Sequence, residues 1–490
     1  MSYAIIYRLL DFVTSKYYIL ISERDLSMSV PNWVQDSIFY QIFPDRFYNG
    51  DQSNDPFNVQ TWGSPPTIHG FQGGDLRGIT GKLDYLMDLG INALYLNPIF
   101  ASASNHGYHT NDYYKINPCY GTMADFKDLL DGAHSRGIKV VLDGVFNHTG
   151  RGFFAFHDLL ENGKDSAYKD WYHVKKFPLD AYGDGKSKNY EAWWGLKPLP
   201  KLNTDNPRVR RYIFDVAKYW IDQGIDGWRL DVPGEINDDD FWAEFRGVVR
   251  AANPQAYLVG EIWELDPRWV GDGHFDGLMH YPLRNAVIDL LTNDLPAPAF
   301  AELLEGFVHA YPRENTRAMY VPLGSHDTSR LVTLLGGHIK KTMLAFLLQF
   351  AYPGAPAIYY GDEIGLRGGK DPACRGAFPW DESRWNHEIR EYIKGLIRVR
   401  KEHAALRRGD LKMISSADDA VCAFARTLGE EAVLAAANPT QHTRQVRIQT
   451  DQIGWGEDRE VKDLLTGKPY QVRGNAVEVT LPAWSGALFG

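Results

Sequence analysis

Eight short apolar runs, most of them followed by a stretch with helical spacing, constrain this chain more than any other feature. They are Ile38–Ile42, Ala93–Leu96, Lys139–Asp143, Gly227–Asp231, Tyr257–Glu261, Gly277–His280, Ala318–Leu323 and Ala357–Tyr360. Runs this short, separated by amphipathic segments, are the pattern of parallel strands joined by helical crossovers. Leu83, Leu86, Met87 and Leu89 show the helical spacing. So do Ile213, Val216, Ala217 and Trp220, behind a Pro207 whose missing N–H costs nothing in a first turn. Eight such units imply an α/β fold, a TIM (βα)8 barrel. A doubly wound open sheet would want a Gly-rich phosphate turn after an early strand, and the sequence shows none.

Two stretches break the alternation. Residues 149–205 lie between the third run and the helix before the fourth, and are rich in Phe, Tyr, Trp, Lys and Gly. They are too long for a structureless loop and are expected to form a small inserted domain on the catalytic face. Beyond Ala405 the helical spacing gives way to short runs at Val421–Arg426, Ala432–Ala437, Gln445–Ile448, Ala476–Leu481 and Ala487–Phe489, the pattern of an antiparallel β-sandwich. The expected division is an N-terminal extension (1–30), the barrel (31–148 and 206–404), the insertion (149–205) and a C-terminal β-sandwich (405–490). In the extension, Arg8, Asp11 and Lys16 interrupt the apolar patches, and neither patch approaches the ~20 residues of a membrane span. With no basic segment ahead of them, they read as neither signal peptide nor anchor, and Met28 stands just before the first strand.

Charge narrows the partners. With 52 basic against 62 acidic residues the net charge is -10, a poor match for nucleic acid phosphates or an anionic membrane surface. Three widely spaced cysteines form no disulfide or metal framework and favour a reducing setting; the reading of the extension as no signal peptide makes the expected setting cytoplasmic. Aromatic residues reach 13%, which serves large cores and also suits a cleft that stacks flat sugar faces.

Barrel enzymes carry their chemistry at the C-terminal ends of strands. Asp231 ends Gly-Trp-Arg-Leu-Asp, Glu261 ends Tyr-Leu-Val-Gly-Glu, and Asp327 follows Leu-Gly-Ser-His. One acid in such a place is as readily a structural ion pair; three at separate strand ends are not, because desolvating a carboxylate is costly. Arg229 shares a strand face with Asp231 and is expected to lower its pKa, as suits a nucleophile. Glu261 sits among Leu258, Val259, Ile262 and Trp263, an apolar setting that raises a carboxyl pKa and suits a general acid. Two carboxyls tuned in opposite directions are what glycoside hydrolysis with retention requires. His148 and His326, each alone as easily a structural group, read together at this mouth as donors to sugar hydroxyls. No clustered histidines suggest metal-assisted chemistry.

The segments Asp143–His148, Gly227–Asp231, Gly260–Trp263 and Ser325–Asp327 closely resemble the four strand-end signatures of the α-amylase family, glycoside hydrolase family 13, over about residues 31–490. The resemblance implies Asp231 as nucleophile, Glu261 as acid/base and Asp327 as transition-state stabiliser. It implies that Tyr108 stacks under the sugar at the cleaved bond and that Arg229, His148 and His326 bind it. Asp371 and Arg375 would grip its far side, unless they form only a loop salt bridge.

Leu199-Pro200-Lys201-Leu202-Asn203 and Tyr359–Gly365 are similar to the neopullulanase, cyclomaltodextrinase and maltogenic amylase group. Two departures stand out. The N-terminal β-sandwich usual in that group is missing, as in cyanobacterial-type debranching relatives. Val232-Pro233-Gly234-Glu235 replaces the usual Val-Ala-Asn-Glu beside the acceptor sugars, where Glu235 and Trp263 are expected to lie. Without the N-terminal domain, the resemblance implies either a more open cleft or a homodimer built through another surface. It implies a structural calcium held by Asn49, Asp51, Asn54, Asp55, Gly73 and Asp75, residues that otherwise make only an Asx-rich turn, and no organic cofactor. The expected activity is retaining hydrolysis of α-1,4 and also α-1,6 bonds in maltooligosaccharides, cyclodextrins, pullulan or starch fragments. The alternatives are glycosyl transfer on the same scaffold and, more remotely, a non-catalytic member, which would have lost acids that this chain keeps.

Overall fold

Period-two alternation inside each apolar run sends one set of side chains inward and the other toward covering helices. In the computed structural model, which describes residues 30–490, the runs form β1 (Phe39–Ile42), β2 (Ala93–Leu96), β3 (Lys139–Gly144), β4 (Gly227–Leu230), β5 (Tyr257–Gly260), β6 (Gly277–Leu278), β7 (Tyr320–Pro322) and β8 (Ala355–Tyr359). The expected extension, up to residue 29, lies outside the described residues. Each strand pairs in parallel with its neighbours in chain order, and β8 returns to β1. A bridge from Met279 to Tyr320 joins β6 to β7 and closes the TIM barrel. Phe39, Tyr95, Val141, Val259, Met279 and Tyr320 fill its interior. Tyr40, Leu94, Leu142, Trp228 and Leu258 point out into the helical layer. At the β6 end of the seam Gly277 is required, since a Cβ there would lie 2.1 Å from the Ala318 carbonyl oxygen.

Asp231 and Glu261, expected as the last residues of their strands, stand one residue beyond them. Each still donates its amide to the neighbouring strand, Asp231 to Gly144 O at 3.0 Å and Glu261 to Leu230 O at 3.1 Å. The carboxyls therefore leave rigid backbone directly into the mouth of the barrel. The helix Pro207–Asp222 is capped by the Asn206 side chain and buries Ile213, Val216, Ala217 and Trp220, the face its spacing predicts.

Residues 149–205 contain one α-helix, Phe154–Asn162, and several short 3-10 turns. An isolated bridge from His148 to Lys201 ties the segment to the barrel, and bridges from Tyr172 to Leu202, Val174 to Tyr190 and Ala192 to Pro200 hold it together internally.

At the C-terminus β9 (Asp410–Met413), β10 (Cys422–Leu428), β11 (Glu431–Asn438) and β16 (Ser485–Phe489) make one antiparallel sheet. A second holds β12 (Arg444–Gln449), β13 (Glu460–Lys462), β14 (Pro469–Arg473) and β15 (Ala476–Leu481). Alternation along β11 assigns its two faces to different cores. Val433, Ala435 and Ala437 join the barrel's outer core, while Leu434 and Ala436 join a separate core around Trp455. No helix among the described residues is long and apolar enough to cross a membrane.

Candidate active site

Arg229 is buried and organises the barrel mouth. Its Nη1 donates to Asp143 Oδ1 at 2.8 Å and to Asp231 Oδ1 at 2.9 Å. Its Nη2 lies 2.9 Å from Glu261 Oε2 as an ion pair, without the alignment of a hydrogen bond. One guanidinium thus faces three carboxyls on adjacent strands. Burial pushes Asp143 and Asp231 above the usual carboxylate range. Burial also lifts Glu261 to about 7, with Arg229 opposing and Asp327 reinforcing the rise. The expectation that Arg229 leaves Asp231 with a lowered pKa is therefore corrected. Arg229 pulls in that direction, but desolvation and two neighbouring carboxyls outweigh one shared cation. The cluster favours holding a proton. Glu261 is its natural seat, because Asp143 and Asp231 receive the aligned Arg229 bonds.

Glu261 is fixed on two more sides. Val232 N–H donates to its Oε2 at 3.0 Å, and Trp263 Nε1–H to its Oε1 at 3.2 Å. Val232 adopts φ 38° and ψ 51°, a left-handed backbone that is strained for a β-branched residue. Trp263 stacks on Tyr281 with ring centres 3.7 Å apart and leaves 39% of its surface exposed.

Opposite this cluster, Tyr108 donates to Asp143 Oδ2 at 2.8 Å and lies 2.6 Å from His326 Nε2, its ring parallel to the imidazole at 9°. Gln41 Nε2 lies 2.9 Å from His326 Nδ1. An amide N–H there makes Nδ1 the acceptor and puts the imidazole proton on Nε2. Burial, with Arg375 and Arg229 nearby, holds His326 well below its ordinary pKa, so the ring is neutral at pH 7. Asp327 meets His326 Nε2 at 3.1 Å and Arg375 Nη2 at 3.3 Å. Arg375 also reaches Asp371 at 3.2 Å. Asp371 and Arg375 are thus paired with each other, and Arg375 joins them to Asp327.

His148 is buried, and burial lowers its pKa to about 3. Its Nε2 has no hydrogen-bond partner, and its ring lies against Trp193. Glu235 accepts from Lys201 Nζ at 3.1 Å, which ties the turn after β4 to the inserted segment.

The residues expected at a cation gather only in part. Asn49 Nδ2 donates to Asp55 Oδ1 at 2.9 Å. A Cβ on Gly73 would lie 2.3 Å from that same carboxylate oxygen. Asp75 caps a helix through Gly78 N–H and also accepts from the Gly50 and Asp51 amides. Asp51 turns instead to Ser53 and Arg77. Among the described residues no group of three His, Cys, Asp or Glu is arranged to hold a metal. Asn49 Oδ1 and Asn54 Oδ1 are buried without a partner. That leaves hard oxygen donors beside two carboxylates and a glycine that clears the space, a set that fits a hard cation.

Sequence reasoning missed four contributors. Asp143 was visible as a strand-end acid by the same rule that found Asp231. Gln41 and Asn97 sit at the ends of β1 and β2, where inward alternation places them; Gln41 Nε2 donates to Asn97 Oδ1 at 3.0 Å. Tyr95, which donates to Asp143 Oδ2 at 2.5 Å, reads in sequence as one more core aromatic.

Residues 41–392 match the model of the α-amylase catalytic domain. A cyclomaltodextrinase of Geobacillus thermopakistaniensis is 44% identical over 464 residues, 94% of this chain and 77% of that protein. Among solved structures, the cyclic α-maltosyl-(1→6)-maltose hydrolase of Arthrobacter globiformis superimposes with a TM-score of 0.86 at 38% identity, covering 94% of this chain and 100% of that one. The Nostoc punctiforme debranching enzyme gives 0.84 at 41%, covering 94% and 99%.

Proposed function

Because the chain belongs to the α-amylase family of glycoside hydrolases, we propose that it hydrolyses α-1,4 and α-1,6 glucosidic bonds of short and cyclic α-glucans with retention. The observation that carries this reading is Arg229 shared among Asp143, Asp231 and Glu261. In the first step Asp231 attacks the anomeric carbon while Glu261 protonates the departing glycosidic oxygen, and a glycosyl ester forms on Asp231. In the second step Glu261 takes a proton from water. The resulting hydroxyl attacks the same carbon, and Asp231 leaves as a carboxylate. Asp327, His326 and Arg375 hold hydroxyls of the distorted ring, and Tyr108 lies under it.

Pullulan digestion followed by chromatography tests the bond choice. Panose marks α-1,4 cleavage, maltotriose marks α-1,6 cleavage, and an unchanged polymer together with intact cyclodextrin overturns the reading. The acid form of Glu261 is the one required, so kcat/KM should fall as pH rises through about 7. A basic limb above pH 9 removes Glu261 from the acid role.

The same reading includes a calcium ion held by Asn49, Asn54, Asp55, Gly73 and Asp75, with Asp51 joining once it leaves Arg77. The buried, unpartnered oxygens of Asn49 and Asn54 support it. When bound, the ion supplies rigidity to the loop after β1 and no chemistry. Millimolar calcium should raise the thermal midpoint over EDTA by roughly 3 °C and leave Asp55→Asn unmoved; identical midpoints for the parent refute the site. A reducing, cytoplasmic setting belongs here too, supported by the free cysteines Cys119, Cys374 and Cys422.

A further inference from the structure

Trp193 and Trp194 extend a row of parallel rings outward from the barrel mouth. His148 lies against Trp193 with ring centres 5.5 Å apart and planes at 19°, and Trp193 lies against Trp194 at 4.5 Å and 10°. Trp193 is half-buried. Trp194 is 72% exposed, so the ring face turned away from Trp193 is open to water. Its backbone sits at φ 50° and ψ 17°, left-handed territory where glycine is at ease and a bulky side chain is strained. Neither burial nor backbone preference accounts for an indole here. An exposed Leu196 and Tyr182 on the same inserted segment add to the apolar surface.

We propose that Trp194 is a stacking platform for a glucosyl ring, forming an outer subsite that long α-glucan chains reach and short ones do not. This rests on the α-glucan hydrolase reading above. The open indole face is flat, apolar and held rigid by Trp193. The hydrophobic C–H face of a pyranose covers such a surface while its hydroxyls stay in water. The row of rings leads from His148 outward, so a chain threaded through the cleft passes Trp194 after leaving the mouth.

Trp194→Gly tests it, since glycine relieves the left-handed backbone and the variant should melt at or above the parent's temperature. The readout is the ratio of kcat/KM on maltoheptaose to kcat/KM on maltotriose. It should drop roughly tenfold, through KM, in Trp194→Gly and recover in Trp194→Phe. An unchanged ratio overturns the platform, and so does an equal loss on both sugars, which would mark Trp194 as a prop for His148. Calorimetric titration with maltoheptaose, comparing Asp231→Asn with the Asp231→Asn/Trp194→Gly double variant, separates the two readings. Weaker binding in the double variant supports the platform even if the parent cleaves neither sugar, an outcome that would take down the hydrolase reading alone. Equal affinities overturn the platform.

Discussion

Asp231→Asn should lose hydrolysis of maltooligosaccharides by on the order of 10⁴-fold in kcat while folding as well as the parent. The carboxamide fills the same space and its oxygen still accepts from Arg229, but it cannot form the glycosyl ester. Stability should not fall. Asp231 is a buried carboxyl raised above its ordinary pKa, with Asp143 and Glu261 repelling it. A group raised in this way contributes stability below its unfolded pKa and loses it as pH rises through the folded value. At pH 7 the neutral amide relieves that charge crowding, so the thermal midpoint should equal or exceed the parent's. The measurement is steady-state kinetics beside thermal melts. Activity above a tenth of the parent's would remove Asp231 from the nucleophile role.

Arg229→Ala carries the other large effect, and here both activity and stability should suffer. Three carboxyls share this one guanidinium. Removing one partner of a buried ion pair costs about 3–5 kcal/mol, because the remaining charge is left in a poorly solvated place. The carboxyls respond by holding protons more tightly, and their folded pKa values climb further above the unfolded ones. Folded protein then binds more protons than unfolded chain, so stability drops as pH rises. The deficit against the parent should widen from pH 5 to pH 8. Denaturant titrations at the two pH values would show it, and a deficit that is flat or shrinks toward pH 8 contradicts the shared-cation account. Arg229→Lys should rescue little, since an ammonium cannot face three strands with a planar fork.

What the sequence discloses follows from how locally each feature is encoded. The eight barrel strands are buried almost throughout, so they appear as short, mostly apolar runs broken only by site residues such as Gln41, Asp143 and Arg229 and by Lys139 at one strand start. Strands β9, β13 and β14 escaped notice because they bury at most one residue each: none in β9, Val472 in β14, and Val461 in β13 between the exposed Glu460 and Lys462. The acids at strand ends stand out because a carboxylate beside Leu230 or Gly260 is out of place. Their pKa values were less legible. Arg229 is visible two residues before Asp231, but the number of carboxyls sharing it depends on which strands lie side by side. Tyr95 and Gln41 matter through partners 48 and 285 residues away, and no periodicity discloses such a distance.

The two-faced inner sheet of the C-terminal region has a consequence for biosynthesis. Val433, Ala435 and Leu488 pack against the barrel's outer core while Leu434 and Phe489 pack against the distal one. A ribosome completes the barrel before it makes this sheet. The nascent barrel therefore stands with an apolar wall uncovered until the later strands emerge, and in that interval it is the species that chaperones meet and that aggregation claims.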